Sequence, residues 1–168
     1  MAKLKRSALL HYLQNPNQGD ADQYFLLGRD IEDGSVSLNP DMDKTKNILD
    51  EVSINDKGYE PEYDVDTYYA NPSDGWIYEW LKEIALNRLT GDDCMTKIVE
   101  VLADKTTGPY DAWREDVIVK PQSYGGPQGG VTIPFNIGFC GNREQGNASL
   151  SGKTLGTFST GSIPSSDD

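Results

Sequence analysis

The sequence predicts a mainly β protein with one flanking α-helix, built on an antiparallel sheet system. Three observations lead to this fold class. Short runs of alternating apolar and polar residues end at Gly, Pro, Asn or Asp, which is typical of strands and their turns. A single segment has helical spacing. Strands precede and follow that segment, which favours an antiparallel sheet system over alternating strand and helix units.

The predicted strands alternate in polarity and are separated by turn residues. In Tyr63–Thr67, for example, Tyr63 and Val65 share one face while Asp64 and Asp66 share the other, as successive residues of a strand must. Asn55–Gly58 has the composition of a turn. The full set of predicted strands is Gly34–Pro40, Ile48–Ile54, Tyr63–Thr67, Met95–Ala103, Trp113–Lys120, Val131–Phe139 and a short one at Lys153–Ser159.

One helix is predicted at about residues 74–90. Its core stripe is formed by apolar residues at helical spacing, namely Trp76, Ile77, Trp80, Leu81 and Ile84. Ser73 and Asp74 can cap its start, and Gly91 is placed to end it. The stripe is expected to pack on a sheet, although two tryptophans in a row could also line a ligand groove.

The length of 168 residues favours a single domain with two distinct ends. We expect an N-terminal arm at 1–24, a β core at 25–140 and a Gly/Ser-rich C-terminal segment at 141–168. The region 40–62 is rich in loop residues and is expected to fold on assembly.

The chain is acidic, and the charge is unevenly distributed. Asp and Glu total 27 against 15 Lys and Arg, which gives a net charge of -12 and excludes a uniformly basic domain that coats DNA. Residues 1–19 carry three basic groups and no acid, whereas residues 20–66 carry 14 acids and 4 bases. No apolar run approaches the about 18–20 residues that span a bilayer, so we expect no membrane contact, no targeting segment and a cytosolic site of synthesis.

The motifs that carry chemistry do not fit their templates. Gly146–Thr154 has five residues between its glycines where a phosphate-binding loop has four, and the acids after Asp41 lack the Gly and Glu of a calcium loop. Cys94 and Cys140 fit no metal spacing, and His11 is the only histidine. We therefore expect no catalytic residue, no cofactor and no metal.

Short phrases along most of the chain resemble the tail tube (major tail) proteins of tailed bacteriophages and prophages of Gram-positive bacteria. No single phrase is diagnostic, and their order and spacing carry the resemblance. The phrases are Leu27-Gly28-Arg29-Asp30, Asn47–Glu51, Gly58-Tyr59-Glu60-Pro61, Tyr68-Tyr69-Ala70, the helix Trp76–Leu89, Tyr110–Asp116, Ser123–Gly126 and Ile133–Ile137.

The resemblance implies two packed antiparallel sheets, in a tail-tube β-sandwich or barrel fold, and a structural role in a siphophage tail. Such subunits form hexameric rings that stack into a tube around a tape-measure protein, and the tube later conducts the genome. The implied partners are copies of the chain, the tape-measure protein, and the tail terminator and distal tail proteins. The implied location is the virion tail, assembled in the host bacterial cytoplasm.

Two sets of residues are candidates for this role. The basic residues Lys3, Lys5 and Arg6 are expected to dock on an acidic patch of an adjacent subunit, and Tyr59 is a further candidate for inter-subunit contact. Some acids are expected to face the lumen, where like charge keeps DNA from adhering. The lumen candidates are Glu32, Asp33, Asp64 and Asp66.

Two alternatives remain open at this point. The nearer one is an inner-tube subunit of a contractile tail or of a tailocin-like injection system. The other is a monomeric β-sandwich that binds a ligand such as carbohydrate, with Trp76, Trp80 or Trp113 as a stacking platform.

Overall fold

A computed structural model describes residues 3–16, 24–28, 35–65 and 68–160, except the side chain of Thr157. Over these residues the protein is mainly β with a single α-helix, which confirms the predicted class. The strands are β1 Leu9–Gln14, β2 Tyr24–Leu27, β3 Val36–Ser37, β4 Pro40–Lys46, β5 Val52–Tyr59, β6 Glu62–Val65, β7 Met95–Leu102, β8 Tyr110–Pro121, β9 Phe135–Ser151 and β10 Thr154–Thr160. The helix α1 is Trp76–Asn87, and short 3-10 turns lie at Arg6–Ala8, Pro72–Asp74 and Gly91–Cys94.

The strands form two antiparallel sheets of very unequal size. Eight strands make the large sheet in the order β2-β1-β7-β8-β9-β6-β3, with β10 also pairing with β9. The long strand β9 pairs through its first residues with β6 and through its last residues with β10. The small sheet is the two-stranded ribbon β4–β5. The ribbon is rich in Asp and Lys, and its side chains are exposed.

The large sheet is apolar on both faces. Alternate residues of β7 show this, since Ile98 belongs to one core cluster while Val99 and Val101 belong to the other. The first cluster includes the buried residues of α1, and the second includes Leu155 of β10. The apolar residues that fill both faces of β7 are Ile98, Val99, Val101 and Leu102, which only Glu100 interrupts.

The predicted helix stripe lies in the first core cluster. Ile77, Trp80, Leu81 and Ile84 are buried, and Trp76 is half-buried with its ring centroid 6.2 Å from that of Trp80. The Trp80 indole donates to the Asp93 carbonyl at 3.2 Å. Stacking of a ligand on Trp80 is therefore blocked by the core.

Both predicted caps of the helix are wrong. Ser73 and Asp74 form a separate 3-10 turn, in which the Asn71 side chain accepts from the Ser73 N–H at 3.0 Å. Gly75, at φ 78°, joins that turn to the helix. The helix ends at Asn87, and its C-cap is Arg88 in the left-handed region, at φ 54°. Gly91 instead begins the next 3-10 turn.

The segment predicted as an N-terminal arm contains a strand of the large sheet that is paired on both sides. β1 lies between β2 and β7, and its Tyr12 and Leu13 are buried. Tyr12 reaches the far end of the chain by donating its hydroxyl proton to the Lys153 carbonyl at 2.5 Å. The sequence signal was obscured because this short apolar run stands between basic and loop-like residues.

The ribbon corrects two predictions around residue 50. Asn47–Glu51 forms its turn, with the Asn47 side chain accepting from the Leu49 and Glu51 N–H groups at 2.8 and 3.0 Å. The predicted strand Ile48–Ile54 is thus replaced by β5, and the predicted turn Asn55–Gly58 lies inside β5. An Asn side chain that bonds to the nearby backbone favours a turn. The alternating apolar and polar residues after Asn47 were instead interpreted as a strand.

The Gly/Ser-rich segment continues the large sheet. β9 begins at Phe135, inside the predicted strand Val131–Phe139, and runs on to Ser151. β10, Thr154–Thr160, matches the predicted strand Lys153–Ser159 to within one residue, and residues 161–168 lie outside the described part of the chain. Among the described residues, no helix is long and apolar enough to cross a membrane.

Candidate functional site

Four charged or titratable side chains meet on one face of the large sheet. Arg143 Nη1 lies 2.8 Å from Glu100 Oε1 and 3.0 Å from Glu115 Oε1. The His11 Nε2 atom lies 3.4 Å from Glu100 Oε2, and its ring packs on Tyr63 with centroids 5.1 Å apart. His11 and Glu115 are only 2% and 6% exposed. We name these four residues, His11, Glu100, Glu115 and Arg143, the charge network.

Strand register brings the charge network together. His11 of β1 stands directly opposite Glu100 of β7, and Glu115 of β8 stands opposite Ile98, two residues before Glu100. On β9 the pairing with β8 shifts twice near Asp116. The backbone bends there through Gly141 at φ 105° and Asn142 at φ 56°. Bulges of this kind redirect side chains, and this one lets Arg143 reach both carboxylates.

The network is held by further hydrogen bonds around the bulge. The Gly141 N–H donates to Glu115 Oε2 at 3.2 Å, and Asn142 donates to Asp116 at 2.8 Å. Asp116 also pairs with Lys97 at 2.9 Å. Burial alone would raise the pKa of Glu100, but Arg143 and the nearby His11 imidazole outweigh it, so that the pKa lies below its ordinary value.

A cavity of about 610 Å³ opens above the network. Its walls are mostly apolar and include Leu9, Val36, Tyr59 and Phe139, while Arg6 adds a second guanidinium. Both carboxylates pair with Arg143, and the Nε2 atom of His11 has no hydrogen-bond partner within the described residues. This arrangement is suited to clamping strands together, because each buried charge has an opposite charge beside it.

The structure separates the predicted contact residues into two groups. Arg6 and Tyr59 line the same cavity, and Arg6 also donates to the Leu9 carbonyl at 2.7 Å. Lys3 and Lys5 are exposed and lie before the first 3-10 turn. Tyr59 is 63% exposed at the end of β5. No sequence pattern had linked Arg6 with Tyr59, because 53 positions separate them.

Only one predicted lumen residue lies in the described part of the chain. Asp64 is exposed on β6 and accepts a hydrogen bond from the Asn136 side chain. Its neighbours Tyr63 and Val65 point to the first core cluster, so Asp64 lies on the opposite side of the strand. Glu32, Asp33 and Asp66 fall outside the described residues.

The ribbon β4–β5 has two chemically different faces, which the sequence analysis missed. Register pairs Lys44 with Ile54, Lys46 with Val52 and Met42 with Asp56, so these six residues share one face. The other face carries Asp43, Thr45, Ser53 and Asn55, and Asp43 pairs with Lys57 at 2.7 Å. We name the first set, Met42, Lys44, Lys46, Val52, Ile54 and Asp56, the apolar face of the ribbon.

The apolar face is open to solvent. Met42, Val52 and Ile54 are 59%, 54% and 60% exposed, and Ile48 at the tip is 99% exposed. A two-stranded ribbon alone in water is marginally stable at best. Its exposed apolar side chains therefore indicate a contact surface.

The third tryptophan does not form an open platform. Trp113 is half-buried, and the Arg143 guanidinium lies 5.8 Å from the centre of its ring. A cation in that position occupies the face on which a sugar would stack.

Comparison with known proteins finds similar three-dimensional structures. No family model matches the sequence, and a search of curated proteins gives no match. The fold is similar to that of the anti-feeding prophage cap, the AFP tube terminating cap, with a TM-score of 0.53 and 11% identity over 88% of this chain and 93% of that one. It is also similar to the PVC sheath/tube terminator of an extracellular contractile injection system, with a TM-score of 0.50 and 8% identity.

The two likenesses cover nearly the whole of every chain involved. The second spans 86% of this chain and 97% of the terminator. This chain and the two tube-ending proteins share a fold. At 8–11% identity the likeness is one of architecture. Neither likeness is to a major tail protein of a Gram-positive phage, the family that the sequence resembles.

Proposed function

We propose that this chain is a structural subunit of a phage-type tail or injection tube, and that it assembles with copies of itself. The observation that carries the proposal is the fold shared, over nearly the full length, with two proteins that end such tubes. The phrase-by-phrase resemblance to tail tube proteins supports the same class of particle from independent data. The proposal gives the chain no catalytic residue, cofactor or metal.

The surface of the subunit supports assembly. The ribbon carries Met42, Val52 and Ile54 in solvent, and an element of this kind gains stability when a neighbour covers it. Within the described residues, the large sheet also ends in β2 on one side and β3 on the other. Free strand edges are a hazard for a monomer and a pairing surface for a ring.

Two positions along a tube are candidates. The first is the stacked tube subunit that the sequence resemblance implies, in hexameric rings around a tape-measure protein and next to terminator and distal tail proteins. The second is a ring that ends the tube, and both structural neighbours favour it because both are tube-ending proteins. In either position the net charge of -12 suits a conduit that DNA passes without specific binding.

Negative-stain electron microscopy over a concentration series tests the proposal. Hollow tubes with a regular axial repeat would indicate the stacked subunit, and single rings of uniform diameter would indicate the tube-ending ring. A chain that stays monomeric at every concentration, and that does not bind to the ends of preformed tubes, would contradict both. The preformed tubes are purified from the particle to which this protein belongs. The same tubes without added protein are the control.

A further inference from the structure

The edge of β9 that faces away from β8 is open over a short stretch. Along this edge β6 pairs with β9 as far as Gly138, and β10 pairs with it from Gly146 onward. No described strand pairs with this edge between those two residues, and residues 142–145 are exposed. We name residues 139–145 of β9 the open edge. An unpaired strand edge leaves backbone N–H and C=O groups available for pairing with another strand.

The cavity above the charge network lies beside the open edge. Phe139 and Arg143 of the open edge line it, and so does Pro61, whose carbonyl accepts a hydrogen bond from the Phe139 N–H at 3.2 Å. Val36 and Phe139 also pack against the first core cluster, so the cavity lies on that side of the large sheet. Because its walls are mostly apolar, an apolar side chain is the occupant that suits it.

β10 runs toward the open edge. Thr160 stands directly opposite Gly146, and the two strands are antiparallel. The residues that follow Thr160 along the same line therefore come opposite residues 145, 144 and 143 in turn. Three residues of strand span about 10 Å. Residues 161–168, Gly-Ser-Ile-Pro-Ser-Ser-Asp-Asp, lie outside the described part of the chain and are long enough to reach the cavity.

We propose that residues 161–163 continue β10 along the open edge of their own chain and that Ile163 covers the cavity. In this register Ile163 stands opposite Arg143, and residues directly opposite each other share a face of the sheet. Arg143 extends from that face to the charge network. The apolar side chain thus shields the network from water, while the added strand pairs the open edge.

Two features of the sequence agree with this register. Phe158 packs against the second core cluster, so alternation places Ser162 on the same side and Ile163 on the opposite side, where the cavity lies. Pro164 comes opposite Asn142, where β9 itself is bulged. Proline has no N–H to donate and is tolerated at bulges and strand edges. The extension of β10 therefore ends where regular pairing with β9 also ends.

The short distance favours the segment of the same chain over that of a second copy. Ile163 is three residues from Thr160, and the pairing of Thr160 with Gly146 fixes where the segment begins. A tether this short gives an effective concentration of about a millimolar or more at the open edge. A second copy would have to displace the tethered segment.

Disulfide trapping within one chain tests the register. The variant carries Ser162→Cys and Glu144→Cys, which the proposal places directly opposite each other, and Cys140→Ser removes the exposed native thiol. The Cα atoms of opposite residues are about 4.5–5.5 Å apart, which a disulfide can span. After mild oxidation, peptide mass spectrometry is expected to find the 144–162 bond in most chains.

The matched control carries Gln145→Cys in place of Glu144→Cys. A shift of one position moves the thiol to the opposite face of β9, so the control is expected to give at most about a tenth of the bond. Equal bonding from positions 144 and 145 would overturn the proposed register. So would the absence of the 144–162 bond in a variant whose circular dichroism matches that of the parent chain.

Mixing two single-thiol variants distinguishes the same chain from a second copy. Chains with Ser162→Cys alone are mixed with chains with Glu144→Cys alone, both in the Cys140→Ser background. We expect the 144–162 bond between chains at no more than about a tenth of the level within one chain. A higher level would assign the segment to a second copy and overturn the proposal. None of these results decides the proposed function, which electron microscopy tests separately.

A stability measurement tests the burial of Ile163. Ile163→Ser is expected to lower the Tm by about 2–4 °C, because it removes apolar contact with the cavity walls. The control is Ile48→Ser, since Ile48 is 99% exposed, and it is expected to change the Tm by less than about 1 °C. Differential scanning calorimetry is carried out at two protein concentrations. Equal shifts for the two variants, or a shift seen only at the higher concentration, would contradict burial of Ile163 within its own chain.

Discussion

Arg143 is the residue on which the charge network depends, because Glu100 and Glu115 both pair with it. Removing one partner of a buried ion pair costs about 3–5 kcal/mol. Arg143 is 41% exposed, so water will partly replace it, and we expect Arg143→Met to lower the free energy of unfolding by about 2 kcal/mol. Urea denaturation measures the loss. Lys97→Met is the control, since its pair with Asp116 is more exposed and should cost less than about 1 kcal/mol.

A second prediction for a single residue concerns Glu100, whose ionisation should affect how the free energy of unfolding depends on pH. Its pKa in the folded protein is lowered, so its contribution is present above the unfolded pKa of about 4.3. That contribution is lost as the pH falls through the folded pKa. We expect the urea midpoint to fall steeply below about pH 4. The Glu100→Gln variant should lose part of that slope. An unchanged slope in the variant would show that other carboxylates control acid unfolding.

The charge network could not be read from the sequence. His11 and Arg143 are 132 positions apart, and only the pairing of β1, β7, β8 and β9 brings them together. The two bulges that direct Arg143 toward the carboxylates depend on how β9 pairs with β8. Gly141 is only a weak sequence signal for a bulge at this position. By contrast, Trp80 could be assigned to the core directly, because helical spacing alone determines which face it shares.

At the scale of elements, the entry to α1 depends on a glycine. Gly75 has φ 78° and ψ -127°, a conformation that side chains with a Cβ avoid. An added Cβ would have nothing within 4 Å, so the cost of Gly75→Ala is conformational. We expect about 1–3 kcal/mol and a lower Tm by differential scanning calorimetry. Gly129→Ala is the control, because that glycine also has open space but no positive φ. Equal Tm values for the two variants would contradict this account.

The elements also show why prediction succeeded in the sheet and failed in the ribbon. β7 was predicted nearly to its bounds, because its apolar residues fill both core clusters. In the ribbon the apolar positions Met42, Val52 and Ile54 are separated by charged residues and a five-residue turn. Their common face appears only when the register is known. β1 was missed for a different reason, since its short apolar run stands between basic and loop-like residues.

For the whole molecule, the net charge of -12 sets how assembly responds to salt. Copies repel each other over a screening length of about 10 Å at about 0.1 M salt, which falls to about 3 Å at about 1 M. If apolar contact drives assembly, removing this repulsion lowers the protein concentration at which copies associate. We therefore expect sedimentation velocity to show larger particles as sodium chloride increases.

The opposite salt response would identify a different driving force. If ion pairs between Lys3 or Lys5 and an acidic neighbour held the copies together, salt would dissociate the particles. A Lys3→Gln, Lys5→Gln variant separates these cases. It removes two positive charges, which changes the net charge from -12 to -14. Under apolar control the variant therefore needs more salt to assemble, yet it reaches the same particle size at high salt. A variant that fails to assemble at any salt concentration would assign the contact to the basic segment instead.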